Sequence, residues 1–432
     1  MANTNPDTGP DVGPSPFLLK IKDWALSHPT VVMAVLRCLK PILVIKNFAV
    51  VTRFDDVQEV MARDDVFHVT YQAKMEKVTT GENFFLGMQN SPQYSRDVSL
   101  MRLAMRREDV PRIATFVEQT AERLMAGIVE AAGRNAGTAA GTAAGTAATI
   151  RVDIVPELTK PVPTLLVGEY FGTPGWDRGQ FTEAAAAMFA YLFYPDDPLN
   201  EKIALAGAAR TRAYLDQAIA KRRESGADID DALGRCLKMQ QAGMPGCDDV
   251  AIRNNFIGML IGLIPTTSKC AVLCLDYLLS HPALLAGAQE AARADDDDLI
   301  NQYVLESLRF NSFGPGLQRL CAKDYTVAAG TWRATTIKAG TTVFVTLQSA
   351  MLDGRKLPDP GEFRLDRPAW SYMHYGYGMH TCFGQYINAV QIARIVKVVL
   401  KCKNLRRAAG PEGQMQVEGA FPAHMTVEFE RD

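Results

Sequence analysis

YGYGMHTCFGQ, residues Tyr375 to Gln385, sets glycines at 376, 378 and 384 around one cysteine, Cys382, immediately before a helical pattern. Glycine lets backbone approach something flat or bulky. Ile387, Val390, Ile395, Val398 and Val399 fall on one side of the following segment, so a helix anchored in the core is expected, with its N-terminus held against Cys382. Free amides and the positive end of the helix favour a thiolate there. No second cysteine stands nearby, and no His/Asn pair is placed as in cysteine proteases. A thiolate held in this way suggests a single-ligand metal complex, with haem iron as the candidate. The other reading of a lone cysteine in a tight turn is a buried, inert thiol.

The same loop resembles the cysteine-ligand loop of the cytochrome P450 (haem-thiolate) superfamily, soluble bacterial type: Gly376, Gly378, His380, Cys382 and Gly384 fit, and Tyr375 replaces the usual Phe. ESLR, Glu306 to Arg309, resembles the family's Glu-x-x-Arg pair. FRLDR, Phe363 to Arg367, supplies the third member, Arg367, 15 residues before Cys382. Read from residues alone, Glu306 and Arg309 are an i,i+3 pair on one helical face, and apolar Val304, Leu305 and Leu308 favour burial, where two charges need each other. Glu306, Arg309 and Arg367 are taken as structural.

The resemblance implies a mainly α fold with a smaller β-rich part, the cytochrome P450 fold, with haem b between a central helix and the cysteine loop. Cys382 would ligate iron, Tyr375, Gly376 and Gly384 would line the cofactor, and Arg319 and His380 would bind propionates. The family's third propionate contact, a His and an Arg four apart after a Pro, fails here. SPQYSRDVSLMR puts Tyr94 and Val98 at those places, which leaves Arg96 or Arg102, with Arg102 preferred.

Ile252 to Ser280 reads as the longest helix, apolar on most faces. In the family register Thr266 takes the place of a proton-delivering alcohol, with Thr267 beside it, and Pro265 takes the place of the acid. A proline there removes a backbone bond and is expected to kink the helix and open a groove. Thr266 and Thr267 are the candidate catalytic residues. Alternatively, their hydroxyls only bond back to carbonyls a turn earlier. Without the acid, oxygen activation would use Thr266 and water, a substrate group, or a peroxide. Substrate contacts are expected from Tyr71–Met88, Ala187–Tyr194, the central helix and Gly314–Leu317. The run Phe189, Tyr191, Phe193, Tyr194 reads as a pocket roof or as a plain core stripe.

A net charge of -2 lacks the basic excess that would hold a polyphosphate backbone, so no nucleic-acid partner is expected. The eight cysteines show no CxxC pair and fit a reducing cytoplasm, and the polar, Pro/Gly-rich start lacks a secretory pattern. No apolar stretch reads as a membrane span, because charges and Pro41 or Pro265 interrupt each one. The segment 1–47 precedes a single haem domain, 48–432, within which 134–149, rich in Ala, Gly and Thr, reads as a flexible insert. A strand is expected at Phe48–Val51, a helix at Phe54–Ala62, β-rich text beyond Arg309 and a closing helix over Gln385–Lys403.

The expected function is a monomeric monooxygenase inserting oxygen from O2 into an apolar small molecule, with electrons from a separate ferredoxin and its reductase. Lys397, Lys401, Lys403, Arg406 and Arg407 are read as a docking face for that partner or as a solvated helix end. Two alternatives stand beside it. One is a peroxide-dependent or hydroperoxide-rearranging haem-thiolate enzyme, and the other is a non-catalytic haem-binding protein.

Overall fold

A helix that is apolar on most faces is stable only when protein surrounds it. In the computed structural model, which describes residues 29–81, 84–138 and 149–431, the helix Asp249–Leu279 is enclosed in this way. It is long and apolar enough to cross a membrane by length and composition, but 78% of its most apolar window is buried inside the fold. Asp248 caps it, accepting the Ala251 amide at 2.9 Å. The helices Arg178–Phe193, Pro198–Ser225 and Gln385–Leu400 pack on it, and Val110–Thr138 packs along the last of these. The helix continues through Pro265 without a break, although the missing proline N–H leaves the Ile261 carbonyl without its usual donor.

The strands are β1 (Ile42–Ile45), β2 (Phe48–Val51), β3 (Phe67–Val69), β4 (Thr149–Asp153), β5 (Leu317–Cys321), β6 (Tyr325–Val327), β7 (Thr335–Ile337), β8 (Thr342–Val345), β9 (Lys403–Arg407), β10 (Gln416–Glu418), β11 (Phe421–His424) and β12 (Thr426–Glu430). The largest sheet has the order β1-β2-β8-β5-β3, with β2 and β8 parallel. Its apolar face forms a core separate from the helical one, with Ile42, Val51, Phe54, Phe67, Val343 and Val345. β1 falls inside the segment 1–47 set apart on sequence, and its pairing with β2 ties it to this sheet.

The closing helix ends at Leu400, and Lys403 opens a strand instead. Four strands then follow where the sequence reading placed the end of the architecture. Lys403–Arg407 is too polar to show a period-2 pattern, and its conformation is set by pairing with β12. The helix Val110–Thr138 carries helical backbone into the Ala/Gly/Thr tract and β4 starts at Thr149, while 139–148 lie outside the described residues.

Candidate active site

The cysteine loop is held from both ends. The Cys382 amide donates to the Tyr375 carbonyl at 2.8 Å, and Gly376 and Gly378 adopt φ of 78° and 75°. Any side chain at Gly378 would sit 2.5 Å from the Met61 carbonyl, so the loop's close approach to the helix Phe54–Ala62 requires glycine. The helix Gln385–Leu400 begins directly after Gly384. Burial pushes the Cys382 thiol up to about 11, and the Gly384 amide opposes this only in part. The thiol therefore needs more than the helix end to ionise near neutrality, and a bound metal cation supplies that. Burial also raises the Tyr375 phenol far above its ordinary range, so Tyr375 stays neutral.

Arg319 and His380 lie together beside this loop. β5 places Arg319 opposite Val69 on β3 and Val343 on β8, where it is 4% exposed. It donates to the Gln318 carbonyl at 2.9 Å, and it has no carboxylate partner among the described residues. Burial lowers its pKa. Both ring nitrogens of His380 are buried without a partner among the described residues, and burial, then the Arg319 charge, lower its pKa to about 4. A buried cation without a counter-ion and an orphaned imidazole are costly unless an anion meets them. Two carboxylates on one flat group fit that need. Replacing Arg319 by Ala should speed haem transfer to an apo-acceptor by the loss of a charge-assisted bond, about 1.5–3 kcal/mol, without moving the thiolate signature. His380→Ala should act in the same direction. Unchanged transfer rates in both variants would remove them from the cradle.

Tyr94 fills the place where the early-helix pattern fails. Ser91 caps the helix Pro92–Ala104 through the Tyr94 amide, and the Tyr94 phenol donates to the Met379 carbonyl at 2.7 Å, with its ring 5.9 Å from that of His380. It braces the loop without a charge. Arg96 is engaged by Asp97 at 2.8 Å, while Arg102 is exposed and its charge acts on the Tyr94 phenol.

On the other side, Gly262 is exposed in the middle of a buried helix, and a Cβ added there would meet no atom within 4 Å. This open surface is the cradle a flat macrocycle and its substrate require. Thr266, one turn on, donates its hydroxyl to the Gly262 carbonyl. The two candidate threonines separate. Thr267 is fully buried and donates to Asn388 Oδ1 at 3.2 Å on the cysteine helix, because successive helical residues point about 100° apart. No carboxylate stands at 265, and Tyr71, bonded to the Leu86 carbonyl at 2.7 Å, lies close enough to Cys382 and Arg319 for their charges to act on it.

Glu306 is fully buried. Arg309 grips it bidentately at 2.9 Å on each oxygen, Arg367 Nε lies 3.2 Å away, and the Tyr372 hydroxyl and Arg364 amide donate to it at 3.0 and 3.1 Å. Four of the five cations read as a docking face are engaged by carboxylates, and Lys403 is exposed without an ion pair among the described residues. Lys397 is 3% exposed and meets Glu118, Asp295 and Asp297 at 2.8 to 3.0 Å. Lys401 pairs with Asp295, Arg406 with Glu428 and Arg407 with Asp276. Of these cations, Lys397 and Lys401 are met by Asp295 and Asp297 at the start of the helix Asp297–Phe310.

The chain is similar to several known proteins. Psi-producing oxygenase A of Emericella nidulans is 26% identical over 397 residues, covering 83% of this chain, which spans 35% of that relative's length. Linoleate diol synthase of Gaeumannomyces graminis is 42% identical over 91 residues, 21% of this chain and 8% of that protein. The solved structure of P450BioI in complex with hexadec-9Z-enoic acid ligated acyl carrier protein superposes with a TM-score of 0.76 at 19% identity, over 95% of this chain and all of that one. The cytochrome P450 family model accounts for residues 41–402, and on that match the chain belongs to the cytochrome P450 family of haem-thiolate oxygenases, with haem b as its cofactor.

Proposed function

We propose that this P450 monooxygenase inserts an oxygen atom into a long-chain, fatty-acyl substrate, acting as a cytoplasmic monomer with electrons from a separate ferredoxin-type protein. The observation that carries the substrate class is a cluster of aromatic rings contributed by the segment 187–194, by Tyr71 and by Phe313 and Phe421. Phe189 lies 5.7 Å from Phe313 and 5.5 Å from Phe421, and Tyr71 lies 4.7 Å from Phe193. Rings of this size exclude water and bury a flexible apolar chain. The name of one relative, a linoleate diol synthase, supports the same class.

Bound haem supplies oxygen activation at an iron whose ligand is the Cys382 thiolate. Arg319 and His380 would hold it, Tyr94 fixes the loop, and the Thr266 hydroxyl, which donates to the Gly262 carbonyl, keeps its oxygen able to accept a hydrogen bond from water. The Ile261 carbonyl is a second acceptor for water on the same helix. A second reading, in which reduced oxygen arrives as a substrate hydroperoxide, is favoured by Pro265 in the acid's place, because no chain carboxylate is positioned there to move protons.

Turnover of a fatty-acid panel with NAD(P)H, ferredoxin and reductase should exceed turnover with hydrogen peroxide or a fatty-acid hydroperoxide. Thr266→Ala should raise the amount of reducing equivalents lost as peroxide roughly tenfold or more. Product from hydroperoxide alone, with Thr266→Ala unaffected, would establish the second reading instead.

A further inference from the structure

Lys269 lies three residues beyond Thr266, about 4.5 Å further along the central helix. Its ammonium donates to the Tyr194 hydroxyl at 3.1 Å and to the Ala420 carbonyl at 3.0 Å. Aromatic rings surround it: Phe313 at 4.5 Å, Phe421 at 5.7 Å and Tyr194 at 5.8 Å from their centres. All of these partners are neutral, and no carboxylate pairs with Lys269 among the described residues. An ammonium has three donors, and two are used. A half-buried cation surrounded by rings and one carbonyl retains a large unmet attraction for an anion, because the rings offer only a quadrupole and the local dielectric is low.

The residues around Lys269 come from widely separated parts of the chain. Tyr194 and Phe189 belong to or flank the helix Arg178–Phe193, Phe313 precedes Gly314–Leu317, Ala420 lies in the turn between β10 and β11, and Phe421 opens β11. Phe189, Phe313 and Phe421 form a continuous apolar wall beside the ammonium. A charged end at Lys269 and an apolar chain along these rings describe a free fatty acid.

We propose that Lys269 binds the carboxylate of a free fatty-acid substrate, so that the chain is measured from its acid end. This rests on the fatty-acyl reading above and adds to it that the acyl group arrives as the free acid, not as a thioester on a carrier. The third ammonium proton meets the carboxylate, while Tyr194 and Ala420 keep the lysine side chain fixed.

The test is equilibrium binding to the haem-loaded protein, followed by calorimetry and by the haem Soret shift, with linoleic acid, methyl linoleate and linoleoyl-acyl carrier protein as probes. Wild type should prefer the acid to the ester by tenfold or more. Lys269→Met should weaken the acid about ten- to a hundredfold and leave the ester within about twofold, while Lys269→Arg keeps the preference for the acid. Equal affinity of wild type for acid and ester overturns the proposal. So does equal weakening of both by Lys269→Met, which marks a structural tie to the β10–β11 turn, or tighter binding of the carrier-linked chain than of the free acid. Binding of none of the three probes would overturn the fatty-acyl reading as well.

Discussion

Cys382→Ser should abolish the red-shifted Soret band that the reduced protein forms with carbon monoxide. That band depends on a thiolate opposite the carbon monoxide, and serine offers a hydroxyl that is far harder to ionise. The loop itself should survive, because its shape rests on the Cys382 amide bonded to Tyr375, on the left-handed glycines 376 and 378 and on the Tyr94 brace, none of which uses the sulfur. Haem should therefore still bind through Arg319 and His380, with oxygenase turnover lost. Because burial holds the thiol at about 11, the metal-free protein should also react slowly with thiol reagents at neutral pH. A normal thiolate spectrum in Cys382→Ser would overturn the assignment of the ligand and of the chemistry that depends on it.

Glu306→Gln should have the largest effect on stability, about 3–5 kcal/mol, because removing one partner of a buried ion cluster leaves the others uncompensated. Arg309 and Arg367 would remain buried, at 0% and 6% exposure. Each also donates to backbone: Arg309 to the Pro360 and Glu362 carbonyls at 2.6 and 2.8 Å, and Arg367 to the Pro358 and Asp359 carbonyls at 2.7 and 2.6 Å. The carboxylate therefore holds two cations that in turn fix the segment 358–362. Urea midpoints and haem content should fall together, and a loss under about 1 kcal/mol would show that the cluster tolerates neutral glutamine. His374 stands beside this cluster, bonded to the Leu305 carbonyl at 2.9 Å, and burial lowers its pKa to about 4. Its folded pKa lies below the unfolded value near 6.5, so the folded state binds fewer protons. Stability should accordingly decline as pH falls from about 6.5 toward 4, and His374→Gln should flatten that part of the profile.

What could be read from the sequence was local. The loop 375–384 declares itself because its glycines, cysteine and following helix are contiguous. Glu306 and Arg309 meet because i,i+3 residues share a helical face. Where pairing depends on distant segments, sequence reading ran out. Thr266 and Thr267 are neighbours in text, yet one bonds within its own helix at Gly262 and the other crosses to Asn388. Lys397 and Lys401 look like a free basic surface until Glu118 and Asp295 are brought against them. Tyr94 appeared only as a mismatch, and its role emerged once Met379 lay within reach. Lys269 gave no signal, because Tyr194, Phe313 and Phe421 are gathered around it only by the tertiary fold.

The sheet β4-β12-β9 has its middle strand last in the chain. Synthesis runs from the N-terminus, so β4 leaves the ribosome early and must wait, its hydrogen-bonding edge unsatisfied, until 426–430 emerge. β9 appears sooner before its partner but cannot pair with β4, because β12 must lie between them. Val427 and Phe429, both buried, therefore become available to close the core against Ile150 and Val152 only after both flanking strands have been made. A ribosome stalled shortly before residue 426 would display two incomplete edges at once, a state open to chaperone capture and edge-to-edge association, and this step is placed to limit the yield of folded protein in a heterologous host.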